Sequence, residues 1–288
     1  MNATPLKIHN CLYFCLKTFF VISSCLLFAS TAFCHSLFIQ SSRYHVHEGK
    51  RSPLFFCYGH HVPVDDGVRG KKLKALQVLS PSGKVRDIKV RDETSLHSYM
   101  VNYDEVGTYV LSAETNPGYY TVYIDKKGHE RHTIKPKSAI SGKADKILKS
   151  LYSKQYTKTY VVCDTPSPDF PARVGLPLEL VPSKDISTLK SGEDLELAIY
   201  FKGKPYEGEG TWDATVNGFS TEAENNFYHK TTVSGSKLSV PVPEAGRWFV
   251  RYFIKINATG KDAEFYNKMK HTATLVFQLK KEGISTKL

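Results

Sequence analysis

The sequence has few of the features that identify membrane channels or common hydrolases. Its one apolar run that approaches membrane length covers residues 18–29, near the N-terminus. A single run of this kind excludes a polytopic membrane protein. The sequence contains no Gly-x-Ser-x-Gly nucleophile motif, no glycine-rich phosphate-binding loop and no His-Glu-x-x-His zinc motif. We therefore do not predict an enzyme.

Acidic residues are scarce relative to basic ones. The 288 residues include 28 Asp and Glu against 39 Lys and Arg, which gives a formal net charge of +11. Such an excess suits a nucleic acid or an acidic surface as a partner, so the compartment of the protein has to decide between them. Hydrophobic residues make up 41% of the chain, which is enough for one or two folded domains.

The first 34 residues have the order of a secretory signal peptide. Lys7 and Lys17 precede the apolar stretch, no acidic residue occurs, and the small residues Ala29 to Ala32 follow it. We expect cleavage before His35, and cleavage before Phe33 is the alternative. An uncleaved anchor and a lipoprotein are the further alternatives. The sequence thus predicts a periplasmic or secreted protein, which argues against a nucleic-acid partner.

Cleavage before His35 removes four of the six cysteines. Only Cys57 and Cys163 remain in the exported chain. In an oxidising compartment two cysteines can form one disulfide bond. The sequence does not show whether their Cα atoms approach each other, so a disulfide and two unpaired thiols both stay open.

The exported part predicts an all-β protein. Short β-branched or aromatic segments are separated by Gly, Pro, Asp and Asn. The predicted strands are 37–40, 54–58, 73–79, 85–90, 98–101, 108–113, 119–124, 178–181, 195–201, 211–216, 238–242, 248–254 and 272–279. Their spacing favours two tandem Ig-like or transthyretin-like β-sandwich domains, at residues 35–134 and 178–281, followed by a polar tail at 282–288.

The segment between these domains, residues 135–177, has a different composition. Seven lysines and one acidic residue occur in 135–158, and Ala144, Ile147, Leu148 and Leu151 have the spacing of one helix face. We expect a short helix there, which either docks on an acidic partner or is a solvated surface element. Four prolines in residues 164–177 then predict a stiff interdomain linker.

Several motifs resemble a bacterial periplasmic family of unknown function, also labelled NikM-like or NikK-like. In the second half they are Leu178-Glu179-Leu180-Val181-Pro182, residues 189–193 and 195–201, Gly203-Lys204-Pro205, Pro243-Glu244-Ala245-Gly246-Arg247-Trp248 and the strand 271–279. The first half adds the start His35-Ser36-Leu37-Phe38-Ile39 and the element Tyr58-Gly59-His60. Members of this family occur beside nickel and cobalt uptake transporters. The resemblance implies two sandwich domains, export and a role in handling nickel or cobalt.

Histidines are the main candidates for chemistry. Imidazole is the commonest protein ligand for nickel, copper and zinc, and five of the histidines fall within residues 35–61. If His35 is the mature N-terminus, its α-amine and ring can chelate one metal ion together. We expect His60 to supply a third nitrogen. His61 and His97 are further candidates, although neighbouring residues of a regular strand, such as His60 and His61, point to opposite faces.

Other residues near these histidines offer weaker alternatives. Asp65 and Asp66 are possible oxygen ligands. His45 and His47 have i, i+2 spacing on one strand face, which suits either a second metal site or an exposed hairpin.

We therefore predict a non-catalytic, periplasmic metal-binding accessory protein for nickel or cobalt uptake. Its site comprises His35, His60, His61 and His97, and its partner is a component of a membrane transporter, with peripheral or no membrane contact. The alternative is an adhesion-type module that binds carbohydrate or protein without metal. Its surface would use Tyr119, Tyr120 and Tyr123, or Phe249, Tyr252 and Phe253. A third hypothesis is a copper oxidase with a two-histidine brace.

Overall fold

A computed structural model describes residues 35–281, so the predicted signal peptide at 1–34 and the polar tail at 282–288 lie outside the described residues. The described chain is all-β. Its only helices are four short 3₁₀ turns at Gly70–Lys72, Lys137–Ile140, Ile186–Thr188 and Gly260–Glu264. Within residues 35–281 no helix is long and apolar enough to cross a membrane.

Twenty strands follow one another along the chain. They are β1 Ser36–Ser41, β2 His45–Val46, β3 Lys50–Gly59, β4 Val68–Arg69, β5 Leu73–Leu79, β6 Val85–Asp87, β7 Thr94–Ser95, β8 Ser98–Tyr103, β9 Gly107–Thr115, β10 Gly118–Asp125, β11 Glu130–Thr133, β12 Ala144–Cys163, β13 Leu178–Pro182, β14 Glu193–Phe201, β15 Lys204–Pro205, β16 Glu209–Val216, β17 Tyr228–Ser234, β18 Lys237–Val242, β19 Gly246–Asn257 and β20 Lys268–Leu279. Every segment predicted as a strand overlaps one of them.

The predicted short helix is wrong. Residues 144–151 belong to β12, which pairs antiparallel with β10. A register shift falls where Ile147 pairs with Tyr123 and Lys149 pairs with Val122, so Leu148 has no partner on β10 and remains 44% exposed. This extra residue is a bulge. It gives the apolar residues a helix-like spacing within a strand, and cross-strand pairing decides the structure.

β12 lies at the centre of the largest sheet, whose main order is β17-β16-β19-β20-β12-β9-β5-β6. It runs parallel to β20 from Leu151 to Thr159 and antiparallel to β9 from Tyr160 to Cys163. β10, β11 and β2 extend the same sheet. Much of the segment predicted as a helix and linker is therefore the strand that joins the strands of the first half to those of the second.

Two hydrophobic clusters lie against this sheet. In the first half, the β1-β3-β8 sheet contributes Leu54 and Phe56, which cluster with Leu76 of β5 and Leu111 of β9. In the second half, the sheet of β13, β14, β15 and β18 faces β16, β19 and β20, and its cluster includes the buried Trp248. Burying both faces of two layers is the arrangement that amphipathic sheets require.

The polar residues on the inner part of β12 have a structural reason. β1 pairs with β3 on one side, and side chains of the central sheet bind its other edge. The N–H of Leu37 donates to Gln155 Oε1 at 2.6 Å, and the N–H of Ile39 donates to Thr157 Oγ1 at 3.0 Å. The hydroxyl of Thr274 on β20 donates to the carbonyl of Leu37 at 2.7 Å. These bonds satisfy buried backbone groups that would otherwise cost free energy.

The proline-rich segment is fixed by a buried ion pair. Lys158 Nζ lies 2.7 Å from Glu179 Oε1, and both side chains are almost fully buried. Lys158 also donates to the carbonyl of Ala172, while Glu179 accepts from the N–H groups of Val174 and Gly175. Burial lowers the pKa of Lys158 to about 8, although the Glu179 carboxylate opposes this shift. The pair thus ties residues 172–175 to β12 and β13.

Candidate functional site

Strand register brings His35 opposite His60. In the β1–β3 pair, Leu37 is opposite Tyr58 and Ser36 is opposite Gly59. One further step along the same antiparallel register pairs residue 35 with residue 60. Directly opposite residues have Cβ atoms about 4.5–5.5 Å apart, so two histidines at these positions must meet.

The rings of His35 and His60 are in contact. Their centroids are 4.5 Å apart and their planes are tilted by 39°. The ring of Tyr58 stacks on His35 with centroids 5.2 Å apart, and Nε2 of His35 is 3.1 Å from Oδ2 of Asp66. The amide of Gln155 donates to the His35 carbonyl at 2.8 Å. The start of the exported chain is therefore held in place, with 40% of the His35 side chain exposed.

Asp65 shapes the loop that carries His60. Its Oδ2 accepts hydrogen bonds from the backbone N–H groups of His60 and His61, at 2.5 and 3.1 Å. The ring of His61 also binds this carboxylate, with Nδ1 3.0 Å from Oδ2. Burial raises the pKa of Asp65, but these hydrogen bonds outweigh it and hold the pKa below its usual value. Asp65 is therefore a charged loop anchor, and the His61 ring is engaged with it.

A second carboxylate orients His60. Nδ1 of His60 lies 3.0 Å from Oε1 of Glu224, a residue in the loop between β16 and β17. Burial raises the pKa of Glu224, but the hydrogen bonds from His60 and Arg251 hold it well below its usual range. Because an ionised carboxylate can only accept, Nδ1 carries the proton and Nε2 keeps the lone pair. This is the arrangement in which a second carboxylate sets a metal-binding histidine.

Glu224 is held by buried cations. Arg251 on β19 donates to both oxygens of Glu224, at 3.0 and 2.7 Å, and also binds Asp213, the residue opposite it on β16. Lys230 Nζ lies 2.7 Å from Glu224 Oε2, and Arg251 further donates to the hydroxyl of Ser36 at 2.8 Å. Burial disfavours the charged form of Arg251, yet the two carboxylates raise its pKa. The network therefore links the first and last thirds of the chain at one site.

The donors at this site suit a divalent cation. His35 and His60 supply ring nitrogens and Asp66 supplies a carboxylate, while Asp65, Asp213 and Glu224 add negative charge against the two cations Arg251 and Lys230. Within residues 35–281, no three side chains of His, Cys, Asp or Glu meet as a complete metal cluster. The pair therefore fits a metal only when a further donor joins it.

His97 is separate from this arrangement. It is fully buried, and both of its ring nitrogens are engaged: Nδ1 is 3.0 Å from the Tyr99 hydroxyl and Nε2 is 3.0 Å from the Val68 carbonyl. The geometry gives it the role of a hydrogen-bonded core histidine, so we leave it out of the site. A shared domain does not by itself place two histidines together.

The two cysteines of the described chain are unpaired. Cys57 and Cys163 are both buried free thiols. Burial raises the pKa of each to about 11, so neither is a thiolate at neutral pH and neither is a reactive nucleophile.

The aromatic residues of the carbohydrate alternative divide into two groups. Phe249, Tyr252 and Phe253 lie in the core. Tyr119 and Tyr120 are half-buried, with the ring of Tyr119 4.8 Å from that of Tyr152.

Sequence reasoning missed Glu224, Arg251 and Asp213. One signal was present, because Arg251 interrupts the apolar run Trp248-Phe249-Val250-Arg251-Tyr252. A charge within a central strand has to be paired. Glu224 lies in a polar loop and gives no such signal, since only the fold brings it to His60.

Comparisons with known proteins were made for the whole chain. No curated protein matches it. Among solved structures, Escherichia coli alpha-2-macroglobulin activated by porcine elastase matches with 10% identity and a TM-score of 0.22, covering 85% of this chain and 20% of that one. The chain thus spans about a fifth of that protein.

Two Ig-like structures also match. The tandem V-type regions of VCBP3, a v-region-containing chitin binding protein, are 11% identical, with a TM-score of 0.20 and coverage of 83% and 99% of the two chains. The mouse nectin-like molecule 4 ectodomain is 13% identical, with a TM-score of 0.21 and coverage of 86% and 65%. Similarity at this level says nothing about activity.

The family comparison covers the site itself. The profile described as a domain of unknown function, DUF4198, matches residues 32–256. This range includes His35, His60, Asp213, Glu224 and Arg251. Because the match extends over more than three quarters of the sequence, the chain belongs to the DUF4198 family.

Proposed function

We propose that this chain is an extracytoplasmic metal-binding accessory protein that handles nickel or cobalt. The observation that carries the proposal is the contact between His35 and His60, 4.5 Å between ring centroids, beside a buried carboxylate that fixes the tautomer of His60. Signal-peptide cleavage before His35 would add its α-amine as the missing donor. The resemblance of the motifs to NikM-like and NikK-like proteins supports nickel or cobalt as the cargo.

Each residue of the site then has a distinct task. His35 and His60 bind the ion through nitrogen, and Asp66 either supplies an oxygen or releases the His35 ring. Glu224 holds the His60 ring in the orientation and tautomer that metal binding needs. Binding requires no turnover. A carboxylate-rich surrounding raises the local concentration of divalent cations.

The lysine-rich part of β12 supports a docking role. Together with β10 and β11 it forms a basic three-stranded region, and Ile134 beside it is 75% exposed. A mixed basic and apolar surface suits the acidic face of a partner protein. We propose that this region contacts the membrane transporter component that receives the ion.

The test compares two forms of the exported protein. One begins at His35, and the other carries two extra residues before it, which removes the α-amine from the site. Nickel, cobalt, copper and zinc salts are added separately, and thermal stability and calorimetric binding are measured. We expect nickel or cobalt to stabilise the His35 form by mass action and to bind the extended form much more weakly.

A matched histidine control makes the result specific. His60→Gln removes a proposed ligand, whereas His229→Gln removes an exposed histidine of β17. We expect only His60→Gln to abolish the stabilisation. Absence of stabilisation by any of the four metals, or equal losses in the two variants, would overturn the proposal and favour a metal-free adhesion module. A response to copper alone would favour the copper brace.

A further inference from the structure

A cleft opens where two strands of the central sheet separate. β12 and β20 pair in parallel as far as Thr159 and Val276. Beyond that point β2 pairs with β12 at Val162 and Cys163, while β20 continues beside β19 to Leu279. A cavity of about 1050 Å³ is lined by both separating ends. It is distinct from the site at His35, none of whose residues lines it.

The lining of this cleft has two zones. Its floor includes Val46, Val162 and Leu189, which are buried and apolar. Its rim carries five exposed cationic side chains, Arg43, Lys50, Lys190, Lys280 and Lys281. No carboxylate belongs to the lining that residues 35–281 provide. An apolar floor with a few charged groups around it is typical of small-molecule sites.

The surroundings of the cleft leave its charge positive. The nearest acid beside the lining histidines, Asp164, is engaged by the ring of His47 at 2.6 Å and by the N–H of Glu48 at 2.9 Å. A further cation lies behind the lining, since the guanidinium of Arg247 sits 5.2 Å from the ring centroid of Tyr44. Clefts with one sign of charge and low-dielectric walls concentrate ions of the opposite sign.

The five rim cations come from four separate segments of the chain. Arg43 precedes β2, Lys50 begins β3, Lys190 follows the turn Ile186–Thr188, and Lys280 and Lys281 follow β20. A ligand with a single charge cannot engage all of these segments. We propose that the cleft binds a small anion that carries two or more carboxylate or phosphate groups.

The experiment uses the exported chain, residues 35–288, freed of metal by a chelator that is then removed. Pyrophosphate and citrate are titrated separately by calorimetry at constant ionic strength, with acetate as the monovalent comparison. We expect at least one of the two multivalent anions to bind, and to bind more tightly than acetate. The two arms distinguish a phosphate ligand from a carboxylate ligand, and binding should weaken as salt is added.

Charge-reversed variants test the location. Lys190→Glu with Lys280→Glu changes the rim, whereas Lys126→Glu with Lys146→Glu makes the same change in net charge at exposed positions outside the cleft. We expect the rim pair to weaken binding about tenfold or more and the control pair to stay within about twofold. Lys190→Gln with Lys280→Gln gives the same test if the reversed pair fails to fold.

Two results would overturn the proposal. One is the absence of binding for both multivalent anions. The other is an equal loss in the rim and control variants, which would show attraction by net charge alone. Neither result bears on the metal site, because the protein is metal-free in this experiment.

Discussion

Glu224 is the residue on which the geometry of the His60 ring depends. It accepts from the ring of His60 and is held from behind by Arg251 and Lys230. A carboxylate fixed in this way is ionised whether or not a metal ion is bound. The His60 ring is thus oriented before any ligand arrives, which lowers the entropy that binding must overcome.

The variant Glu224→Gln tests this role. The amide keeps the shape but no longer sets the tautomer of His60, so we expect nickel affinity to fall about 10–100-fold. Loss of one charged partner of Arg251 should also reduce the free energy of unfolding by roughly 1–3 kcal/mol. Calorimetric titration and urea unfolding measure the two effects. Glu222→Gln, an exposed position in the same loop, is the control, and equal nickel affinity in both variants would contradict the role.

A second residue-scale prediction concerns acid stability. His271 on β20 is 3% exposed, and burial, with Lys154 and Lys202 nearby, lowers its pKa to about 4. The unfolded chain takes up this proton near pH 6.5. Protons therefore favour the unfolded state between about pH 6.5 and pH 4, and stability falls as the pH is lowered through that window.

The variant His271→Gln isolates this contribution. Between pH 7 and pH 5 we expect the unfolding free energy of the wild type to drop by roughly 2 kcal/mol more than that of the variant. Urea unfolding at the two pH values measures the difference. His229→Gln, which removes an exposed histidine, should behave as the wild type, and a parallel drop in His271→Gln and wild type would refute the assignment.

At the scale of elements, the loop after β3 depends on Gly59. A Cβ at this position would collide with the Asp65 carboxylate. We expect Gly59→Ala to displace Asp65, to release the N–H groups of His60 and His61, and to lower nickel affinity about tenfold. Gly142→Ala is the control, because a Cβ there meets open space. Calorimetric titration compares the two, and equal affinities would show that the loop tolerates the change.

Element prediction from sequence succeeded where strands carry a period-two pattern and failed at β12. The end of that strand, Tyr156 to Cys163, has the β-branched and aromatic composition of a strand. Its start has a bulge at Leu148, and a bulge imitates helical spacing. The position of β12 between β9 and β20 depends on residues far away in the sequence, so no local pattern contains it.

The candidate site shows the same division. His35 and His60 were predicted as ligands from residue type and from the expected cleavage point, and the β1–β3 register explains their contact. Their partners Glu224 and Arg251 come from the second half of the chain. The network exists only because β19 lies in the sheet that β1 covers, which is a tertiary fact.

At the scale of the whole molecule, β12 makes the two hydrophobic clusters interdependent. Tyr156 and Tyr160 belong to the cluster of the second half, while Val161 and Cys163 belong to that of the first. Neither cluster can lose this strand alone. We therefore expect a single unfolding transition for residues 35–281.

Scanning calorimetry tests this expectation. The calorimetric and van't Hoff enthalpies should agree, as they do for one cooperative unit. Residues 178–281 expressed alone should lack a sharp transition, because β20 then has no β12 beside it. Two resolved transitions in the longer chain, or cooperative melting of the shorter one, would show that the halves are independent domains.

The place of β20 also has a consequence for the order of events during synthesis. β20 is the last strand of the described chain, yet it lies inside the sheet between β19 and β12. Pairings between segments so distant in sequence form slowly, since the intervening chain must first be brought together. Until residues 268–279 arrive, the edges of β12 and β19 lack their partner and remain open to wrong pairing. The fold therefore cannot close until its final strand is delivered.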